Sequence, residues 1–223
     1  MDIKFYCTDP AVVEHFSPQP ANKVIPQWYK DLPVDILDRW GKLDVPSAKQ
    51  CVPLQDMITS GYILFNSFDI ELYPNMIEGV EDYKVRTPSR EHVSSHPHKQ
   101  CPVHIDGKKK NYIKIVNEWL VRTPPGYSCL FIQPFYHFEE NFKLLPAIVD
   151  TDTFDIPVQF PGYLTGKHEC YTIKSGTPLM QVIPFKREDW NMSVELKQPQ
   201  KSFLEFSFSN TYRSIFHRKK HYK

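Results

Sequence analysis

Thr123-Pro-Pro-Gly-Tyr-Ser-Cys-Leu-Phe-Ile132 is the first of three sequence blocks that predict the fold class. It is followed by Ala147-Ile-Val-Asp-Thr-Asp-Thr-Phe154 and by Tyr171-Thr-Ile-Lys-Ser-Gly-Thr-Pro-Leu-Met-Gln-Val-Ile-Pro-Phe185. Each block joins β-branched and aromatic residues to a turn signal, which is typical of short strands that begin or end at a tight turn. The three blocks together predict a mainly β core.

The proline content of the whole chain supports the same fold class. The 223 residues include 20 prolines and only 8 glycines. Proline is excluded from helix interiors and from central strands, so this composition favours short strands, sheet edges and ordered loops. We therefore expect short helices only, and the composition argues against a helical bundle.

The rest of the chain divides into three regions by amino-acid composition. Residues 1–50 carry scattered prolines and aromatic residues, which predicts an N-terminal arm that wraps the body, with short helices near Gln27–Leu32 and Val34–Gly41. Residues 51–210 form the predicted β-rich core domain, interrupted by a polar loop insertion at about 78–110. Residues 211–223 form a basic C-terminal tail.

Further strands are predicted within the core domain. Ser60–Phe65 and Phe68–Tyr73 are rich in strand-forming residues and flank Asn66-Ser67, a pattern that indicates a hairpin. Tyr112–Val116 and Phe203–Phe208 alternate between apolar and polar residues, as half-buried strands do.

Charge and cysteine content restrict the classes of function. The formal net charge is +1, which argues against a protein that coats nucleic acid through its overall field. Nucleic acid would have to bind through the basic tail. The five cysteines are scattered without a CxxC pair, which fits a reducing compartment. No apolar segment is long enough to span a membrane. We expect a cytoplasmic protein, in the host cell if a phage encodes it, and virion association remains open.

The three blocks resemble the trimeric dUTPase and dCTP deaminase superfamily, which has a β-clip fold. Arg122-Thr-Pro-Pro-Gly-Tyr127 matches the family's proline-glycine turn, and Ile148-Val-Asp-Thr-Asp152 matches its Val-Ile-Asp-x-Asp strand. Ile173-Lys-Ser-Gly-Thr-Pro-Leu-Met-Gln-Val-Ile183 matches its Lys-x-Gly-Asp-x-Ile-Ala-Gln-like strand. The resemblance covers about residues 58–186 and implies a β-clip core and a homotrimer.

The whole chain is also similar to a family of small proteins from bacteriophages and marine bacteria. That family carries Gly-Tyr-Ser-Cys-Leu-Phe, Val-Asp-Thr-Asp and Gly-Thr-Pro-x-x-Gln-Val-Ile-Pro-Phe-Lys-Arg together, as this chain does. The similarity to this family implies no particular activity for the chain.

The chain departs from the dUTPase pattern where that family holds its substrate. Gln133-Pro-Phe-Tyr-His-Phe138 stands where the family has an Arg-Ser-Gly-like turn that binds phosphate. Thr153-Phe-Asp-Ile156 stands where the family has a Tyr-Arg-Gly group that stacks on the base. The family's glycine-rich C-terminal lid has no counterpart. The framework of strands is retained while the substrate-binding residues are changed.

Asp150 and Asp152 are the candidate catalytic residues. If the strand of the second block continued through them, both carboxylates would face one side, in position to bind Mg²⁺ or to orient a water. The resemblance implies the second role for Asp150. The alternative is that both are strand-end and turn residues whose carboxylates accept hydrogen bonds from the backbone.

Four residues are candidates for ligand binding. Arg122 and Lys174 are cations near the blocks that would be needed to hold phosphates. Tyr127 and Phe154 are the aromatic candidates for contact with a ligand, although aromatic residues in strands more often fill a core.

A histidine-rich segment is the candidate metal site. His96, His98 and His104 lie close together with Cys101, and zinc and iron both accept such ligands. The spacing matches no standard zinc finger. Solvated or locally hydrogen-bonded histidines are the alternative.

These observations predict a phage-type accessory protein with a non-catalytic β-clip domain that binds a ligand or a protein. The alternative is a Mg²⁺-dependent nucleotide hydrolase or deaminase-related enzyme that uses Asp150 and Asp152. A third possibility is a metal-dependent activity at the histidine segment. The expected partners are further copies of the chain, with a trimer favoured, and a protein partner.

Overall fold

The computed structural model describes residues 1–41, 44–88, 90–100, 107–137, 139–196 and 212–223. The chain divides into two compact units. The first unit consists of residues 1–19 and 61–186, and the second of residues 20–60 and 187–223. This division differs from the predicted arm at 1–50, because the first 19 residues belong to the same unit as the strand blocks.

Strands outnumber helices in the described part of the chain. The strands are β1 (Lys4–Tyr6), β2 (Gln19–Pro20), β3 (Asp35–Leu37), β4 (Asp44–Pro46), β5 (Tyr62–Phe65), β6 (Ile70–Ile77), β7 (Val80–Arg86), β8 (Val93–His96), β9 (Tyr112–Val116), β10 (Leu120–Arg122), β11 (Tyr127–Ile132), β12 (Phe142–Leu144), β13 (Ala147–Val149), β14 (Gln159–Leu164), β15 (Tyr171–Ile173) and β16 (Pro178–Lys186). The α-helices are α1 (Pro10–Phe16), α2 (Gln27–Asp31) and α3 (Val52–Thr59). Short 3-10 turns cover Ala21–Lys23, Ala48–Gln50 and Arg90–His92, and a π-helical turn covers Tyr212–Phe216. The predicted mainly β class with short helices is confirmed.

The first unit is built from antiparallel sheets. One sheet contains neighbouring strands in the order β13-β11-β16-β5, and a second has the order β12-β14-β9-β8. A third sheet has the order β15-β6-β7, and β1 pairs with β10. The strands of the first and third sequence blocks pair directly, because Tyr127–Ile132 runs antiparallel to the second half of β16. The first and third blocks therefore supply the neighbouring strands β11 and β16 inside this sheet, and the second block supplies β13 beside β11.

The core of the first unit lies between these sheets. Its largest fully buried side chains include Tyr112, Phe131 and Phe160, each at most 1% exposed. β14 alternates between exposed and buried residues along most of its length, as expected when one face of a strand packs on a core. At Gly61 the backbone has φ of +70°, and a Cβ atom would lie 2.0 Å from the carbonyl oxygen of Val182. Glycine is thus required where the chain enters β5.

The predicted hairpin between Ser60–Phe65 and Phe68–Tyr73 is not formed. β5 pairs with β16, whereas β6 pairs with β7 and β15, so the two strands belong to different sheets. The connection between them is fastened to the turn before β16: the Asn66 N–H donates to the carbonyl of Thr177, and the Gly176 N–H donates to the carbonyl of Asn66. These bonds compete with a tight turn and send β6 into another sheet.

The segment predicted as a polar loop at about 78–110 is also different in the structure. It contains β7, β8 and a 3-10 turn, and β6 and β7 form a hairpin around Glu78-Gly79. Both strands lie at the edge of their sheets in the described part of the chain. Edge strands carry polar side chains, so their sequence resembles that of a loop. Residues 101–106 lie outside the described residues, as does the predicted strand at Phe203–Phe208.

The second unit carries the remaining helices. The predicted helix near Gln27–Leu32 is confirmed as α2. The predicted helix at Val34–Gly41 is wrong: Asp35–Leu37 is a strand that pairs with Asp44–Pro46. Within the described residues, no helix is both long and apolar enough to cross a membrane.

Candidate functional site

The proline-glycine turn of the first block leads directly into β11. The Tyr127 N–H donates to the carbonyl of Pro124 over 3.2 Å, which closes the turn. Gly126 has φ of +84°, a conformation that favours glycine. The sequence thus places a tight turn where the resemblance expects one.

Asp150 and Asp152 lie in a second turn, immediately after β13. The N–H groups of Thr153 and Phe154 donate to the carbonyl of Asp150 over 3.1 and 2.9 Å. These bonds turn the chain at Asp150, so the strand does not continue through the two aspartates. The expectation that both carboxylates share one strand face is therefore wrong, because the alternation of side chains holds only in extended backbone.

The two turns are joined by charged and polar groups. The Gly126 N–H donates to Oδ2 of Asp152 over 2.8 Å. The guanidinium of Arg122 donates to the main-chain carbonyl of Asp152 over 2.8 Å and also binds the carboxylate of Asp155. We call this arrangement, formed by Arg122, Gly126, Asp152 and Asp155, the aspartate clasp.

Two buried threonines, Thr123 and Thr151, also link the two turns. The hydroxyl groups of Thr123 and Thr151 are 2.7 Å apart, and the Thr123 N–H donates to the carbonyl of Thr151 over 3.2 Å. Both side chains are buried. Their mutual bonds hold the two turns together where the clasp meets the core.

Asp150 is the most accessible member of the predicted catalytic pair. Its side chain is exposed, and its Oδ1 accepts a hydrogen bond from the hydroxyl of the buried Ser128 over 2.6 Å. The adjacent Cys129 is fully buried, and burial raises the pKa of its thiol to about 11 although a hydrogen bond from Thr151 acts in the opposite direction. A thiol with so high a pKa is a poor nucleophile near neutral pH.

The predicted ligand-binding residues fall into two groups. Arg122 and the half-buried Tyr127 belong to the first turn, and Phe154, which is 37% exposed, belongs to the second. Lys174 lies beyond the other end of β16. Pro178 begins that strand and Phe185 pairs with Ser128 near its end, so about 23 Å of extended backbone separates them. The structure brings Arg122, Tyr127 and Phe154 close to the aspartates and leaves Lys174 apart.

Lys174 takes part in a different polar arrangement. Its ammonium group donates to Oδ2 of Asp69 over 2.9 Å, and the Ser175 N–H donates to Oδ1 of Asp69 over 2.8 Å. The hydrogen bond from the Ser175 N–H lowers the pKa of Asp69 most, and the bond from Lys174 lowers it further. The bond to Asp69 in turn raises the pKa of Lys174.

The sequence interpretation missed the most heavily bonded polar side chain in this area. Asn66 is 2% exposed, and its side-chain NH₂ shares its two N–H groups among the carbonyls of Phe68, Ile173 and Lys174 at 2.5, 3.2 and 3.2 Å. We call Asn66, Asp69 and the turn at 173–177 the Asn66 junction. The available signal was the polar run Asn66-Ser-Phe-Asp69 between two strands, which was interpreted as a hairpin turn.

The histidine segment is only partly described. His96 is the last residue of β8, and its ring lies edge-on to Tyr112 with centroids 6.5 Å apart. The N–H of His98 donates to the side-chain carbonyl of Asn111 over 3.0 Å, and ring Nδ1 of His98 lies 3.3 Å from the same oxygen. His104 and Cys101 fall outside the described residues. Among the residues that are described, no three His, Cys, Asp or Glu side chains are grouped so as to hold a metal ion. The Zn or Fe site stays a prediction.

Another buried polar group lies at the β7 edge. Lys110 is 4% exposed and its ammonium lies 3.4 Å from the carboxylate of Glu81, which also accepts from the hydroxyl of Tyr83 over 3.1 Å. Burial raises the pKa of Tyr83 well above its ordinary value. The Tyr83 hydroxyl in turn accepts from the N–H of Leu164, so this network ties the β7 edge to β14.

Comparison with known proteins gives structural likeness only. No protein-family model matches the chain, and no curated protein matches it. The solved structures that are similar include the EIAV dUTPase, with 13% identity, a TM-score of 0.36, and coverage of 61% of this chain and 87% of that chain.

Two phage structures are also similar. A mutant dUTPase from phage phi11 of S. aureus has 11% identity, a TM-score of 0.39, and coverage of 91% of this chain and 99% of that chain. A mutant dUTPase of Staphylococcus bacteriophage 80alpha with dUpNHpp has 10% identity, a TM-score of 0.38, and coverage of 92% of each chain.

Proposed function

We propose that this chain is a non-catalytic binding protein of the phage accessory type, built on a dUTPase-like arrangement of strands. The observation that carries the proposal is the aspartate clasp. The Asp152 carboxylate accepts the Gly126 N–H, and the Arg122 guanidinium binds the Asp152 carbonyl and Asp155. Groups that phosphate chemistry would need are thus engaged in holding two turns together.

The second support is the position of the cations. Phosphoryl chemistry depends on several positive groups that converge on the transferred phosphate. Arg122 is committed to the clasp, and Lys174 is paired with Asp69 beyond the far end of β16. Convergence on one triphosphate would require both ion pairs to break.

A Mg²⁺-dependent nucleotide hydrolase is the second candidate, and the exposure of Asp150 favours it. Carboxylate oxygens are the ligands that Mg²⁺ prefers, and Asp150 presents such a group beside the clasp. In that reading Asp150 would orient water while the metal offsets phosphate charge.

One experiment separates the two candidates. The wild type, Asp150→Asn and Asp69→Asn are incubated with Mg²⁺ and a panel of deoxy- and ribonucleoside triphosphates, and released phosphate and pyrophosphate are measured. Asp69→Asn is the matched control because it removes an exposed carboxylate from the Asn66 junction. We expect no turnover by any of the three proteins. Turnover that Asp150→Asn abolishes and Asp69→Asn retains would replace the binding proposal with the hydrolase.

We further propose that the binding partner includes other copies of the chain. β13 lies at the edge of its sheet in the described part of the chain, and edge strands offer unpaired backbone groups to a neighbour. Ile148 on β13 is 66% exposed and Ile156, after the clasp, is 57% exposed. The resemblance stated above implies a trimer.

The oligomer is tested by light scattering coupled to size exclusion. The wild type is expected to elute with three times the mass of the 26.2 kDa chain. Ile148→Lys is expected to reduce that mass, whereas Val34→Lys, at a residue of the second unit that is 53% exposed, leaves it unchanged. A monomeric wild type would remove the self-association proposal and leave the binding proposal to be tested with other partners.

A further inference from the structure

The last described segment, Tyr212–Lys223, concentrates positive charge. It contains five lysine and arginine residues and no carboxylate side chain, although the whole chain has a formal net charge of only +1. Arg213, Arg218 and Lys219 are exposed. A field this local attracts polyanions even when the protein as a whole is nearly neutral.

The segment is anchored within the second unit. Tyr212–Phe216 forms a π-helical turn, and the His217 N–H donates to the carbonyl of Tyr212 over 2.8 Å. Oδ1 of Asp56 on α3 lies 3.2 Å from Nε2 of His217, and Oδ2 accepts from the ammonium of Lys220. Burial acts to raise the pKa of Asp56, but the bonds from Lys220 and His217 outweigh it and the pKa lies below its usual value. The basic segment is thus held at two points by one carboxylate.

Aromatic rings stand among the exposed cations. Phe216 is 63% exposed and Tyr212 is 36% exposed. Their ring centroids are 6.4 Å apart with an angle of 39° between the planes. Bases of a single strand can stack on exposed aromatic rings.

We infer that Tyr212–Lys223 is a binding surface for single-stranded nucleic acid. The cations supply contacts to successive phosphates, and the exposed rings of Phe216 and Tyr212 supply stacking surfaces for bases. An acidic protein would use the cations but would gain little from the rings, so the combination favours a nucleic acid strand. The inference rests on the second unit alone and is independent of the aspartate clasp and of the proposed self-association.

The test measures fluorescence anisotropy of a labelled 20-nucleotide oligothymidine with the full chain at several salt concentrations. The double variant Arg218→Gln/Lys219→Gln removes two exposed cations and leaves both Asp56 contacts. The loss of two phosphate contacts is expected to reduce the slope of log K against log[salt] by about 1.4 and to weaken binding about 25-fold at 0.1 M salt. Lys108→Gln/Lys109→Gln, at exposed lysines of the first unit, is the matched control and should bind as the wild type does.

A second variant distinguishes stacking from charge. Phe216→Ala is expected to weaken binding about tenfold without changing the salt slope, because it removes a stacking surface and no charge. Polyglutamate of matched charge serves as the competitor. The inference is overturned if the wild type does not bind the oligonucleotide, if the two double variants bind equally, or if polyglutamate competes equally and Phe216→Ala has no effect. The last result would assign the surface to an acidic protein.

Discussion

The Asn66 junction and the aspartate clasp lie beyond opposite ends of β16, and both fasten one turn to another through a side chain that bonds to backbone. They differ in burial. Asn66 is 2% exposed and its side-chain NH₂ shares its two N–H groups among three carbonyls, whereas Asp152 is half-buried and Asp150 is exposed. A buried polar group that loses its partners cannot turn to water, while an exposed one can. We therefore expect the Asn66 junction to contribute more to stability than the aspartate clasp does.

Asn66→Ala should have the largest effect. It removes the donor of one buried carbonyl, that of Ile173, and of two part-buried carbonyls, and we expect the free energy of unfolding to fall by about 2 kcal/mol. Urea unfolding followed by fluorescence measures it. Asn141→Ala, at an exposed residue, is the control and should change stability by less than about 0.5 kcal/mol. Equal losses of unfolding free energy in Asn66→Ala and Asn141→Ala would contradict the claim that the burial of Asn66 makes its hydrogen bonds important for stability.

Asp152→Ala should have a smaller effect, with a loss of about 1 kcal/mol, because the Gly126 N–H loses a carboxylate acceptor but lies close to solvent. Asp152→Asn keeps an acceptor oxygen and should recover more than half of the loss. Urea unfolding of both variants measures this ordering. If Asp152→Ala were as destabilising as Asn66→Ala, the clasp and the junction would have to be regarded as equivalent.

Asp69 tests the charged part of the Asn66 junction through pH. Bonds from the Ser175 N–H and from Lys174 lower the pKa of Asp69 in the folded protein below the 3.8 typical of an unfolded chain. A carboxylate with a lowered folded pKa stabilises the fold above the unfolded pKa, and this contribution is lost as the pH falls through the folded pKa. Thermal unfolding of wild type and Asp69→Asn should therefore differ above about pH 4 and converge at lower pH. A difference that persists at low pH would contradict this assignment.

Asp150→Asn should have the smallest effect on stability, within about 0.5 kcal/mol of the wild type. The side chain is exposed, and the variant retains an oxygen that can accept from Ser128. Differential scanning calorimetry measures the change. A large loss would show that the charge of Asp150, rather than its shape, supports the turn.

The local signals in the sequence predicted individual strands well. Tyr112–Val116 and Tyr127–Ile132 were predicted because their composition and their flanking turns are local properties, and both strands are present. The pairing of β5 with β16 joins residues more than 100 positions apart, so local sequence predicts a hairpin with the next strand instead. The hydrogen bonds that exclude the hairpin come from residues 173–177, which a local reading of Asn66-Ser67 cannot include.

The candidate site was predicted in part. Arg122, Tyr127 and Phe154 do lie near the aspartates, because the Pro-Gly turn and the Asp-Thr-Asp turn cap adjacent strands. The sequence could not place Lys174 or show that the chain turns at Asp150, since the first depends on strand direction and the second on two backbone bonds. Asn66 was missed because a polar residue between strands gives no indication of its burial.

Asp152 holds the proline-glycine turn through the Gly126 N–H, and hydrogen exchange of that amide reports directly on this bond. Exchange is followed by NMR in the wild type, in Asp152→Ala and in Asp150→Asn as the control. We predict that the Gly126 amide exchanges at least tenfold faster in Asp152→Ala and at the wild-type rate in Asp150→Asn, because only the first variant removes its acceptor. An unchanged rate in Asp152→Ala would show that the carboxylate does not hold the turn and would return Asp152 to the list of residues available for chemistry.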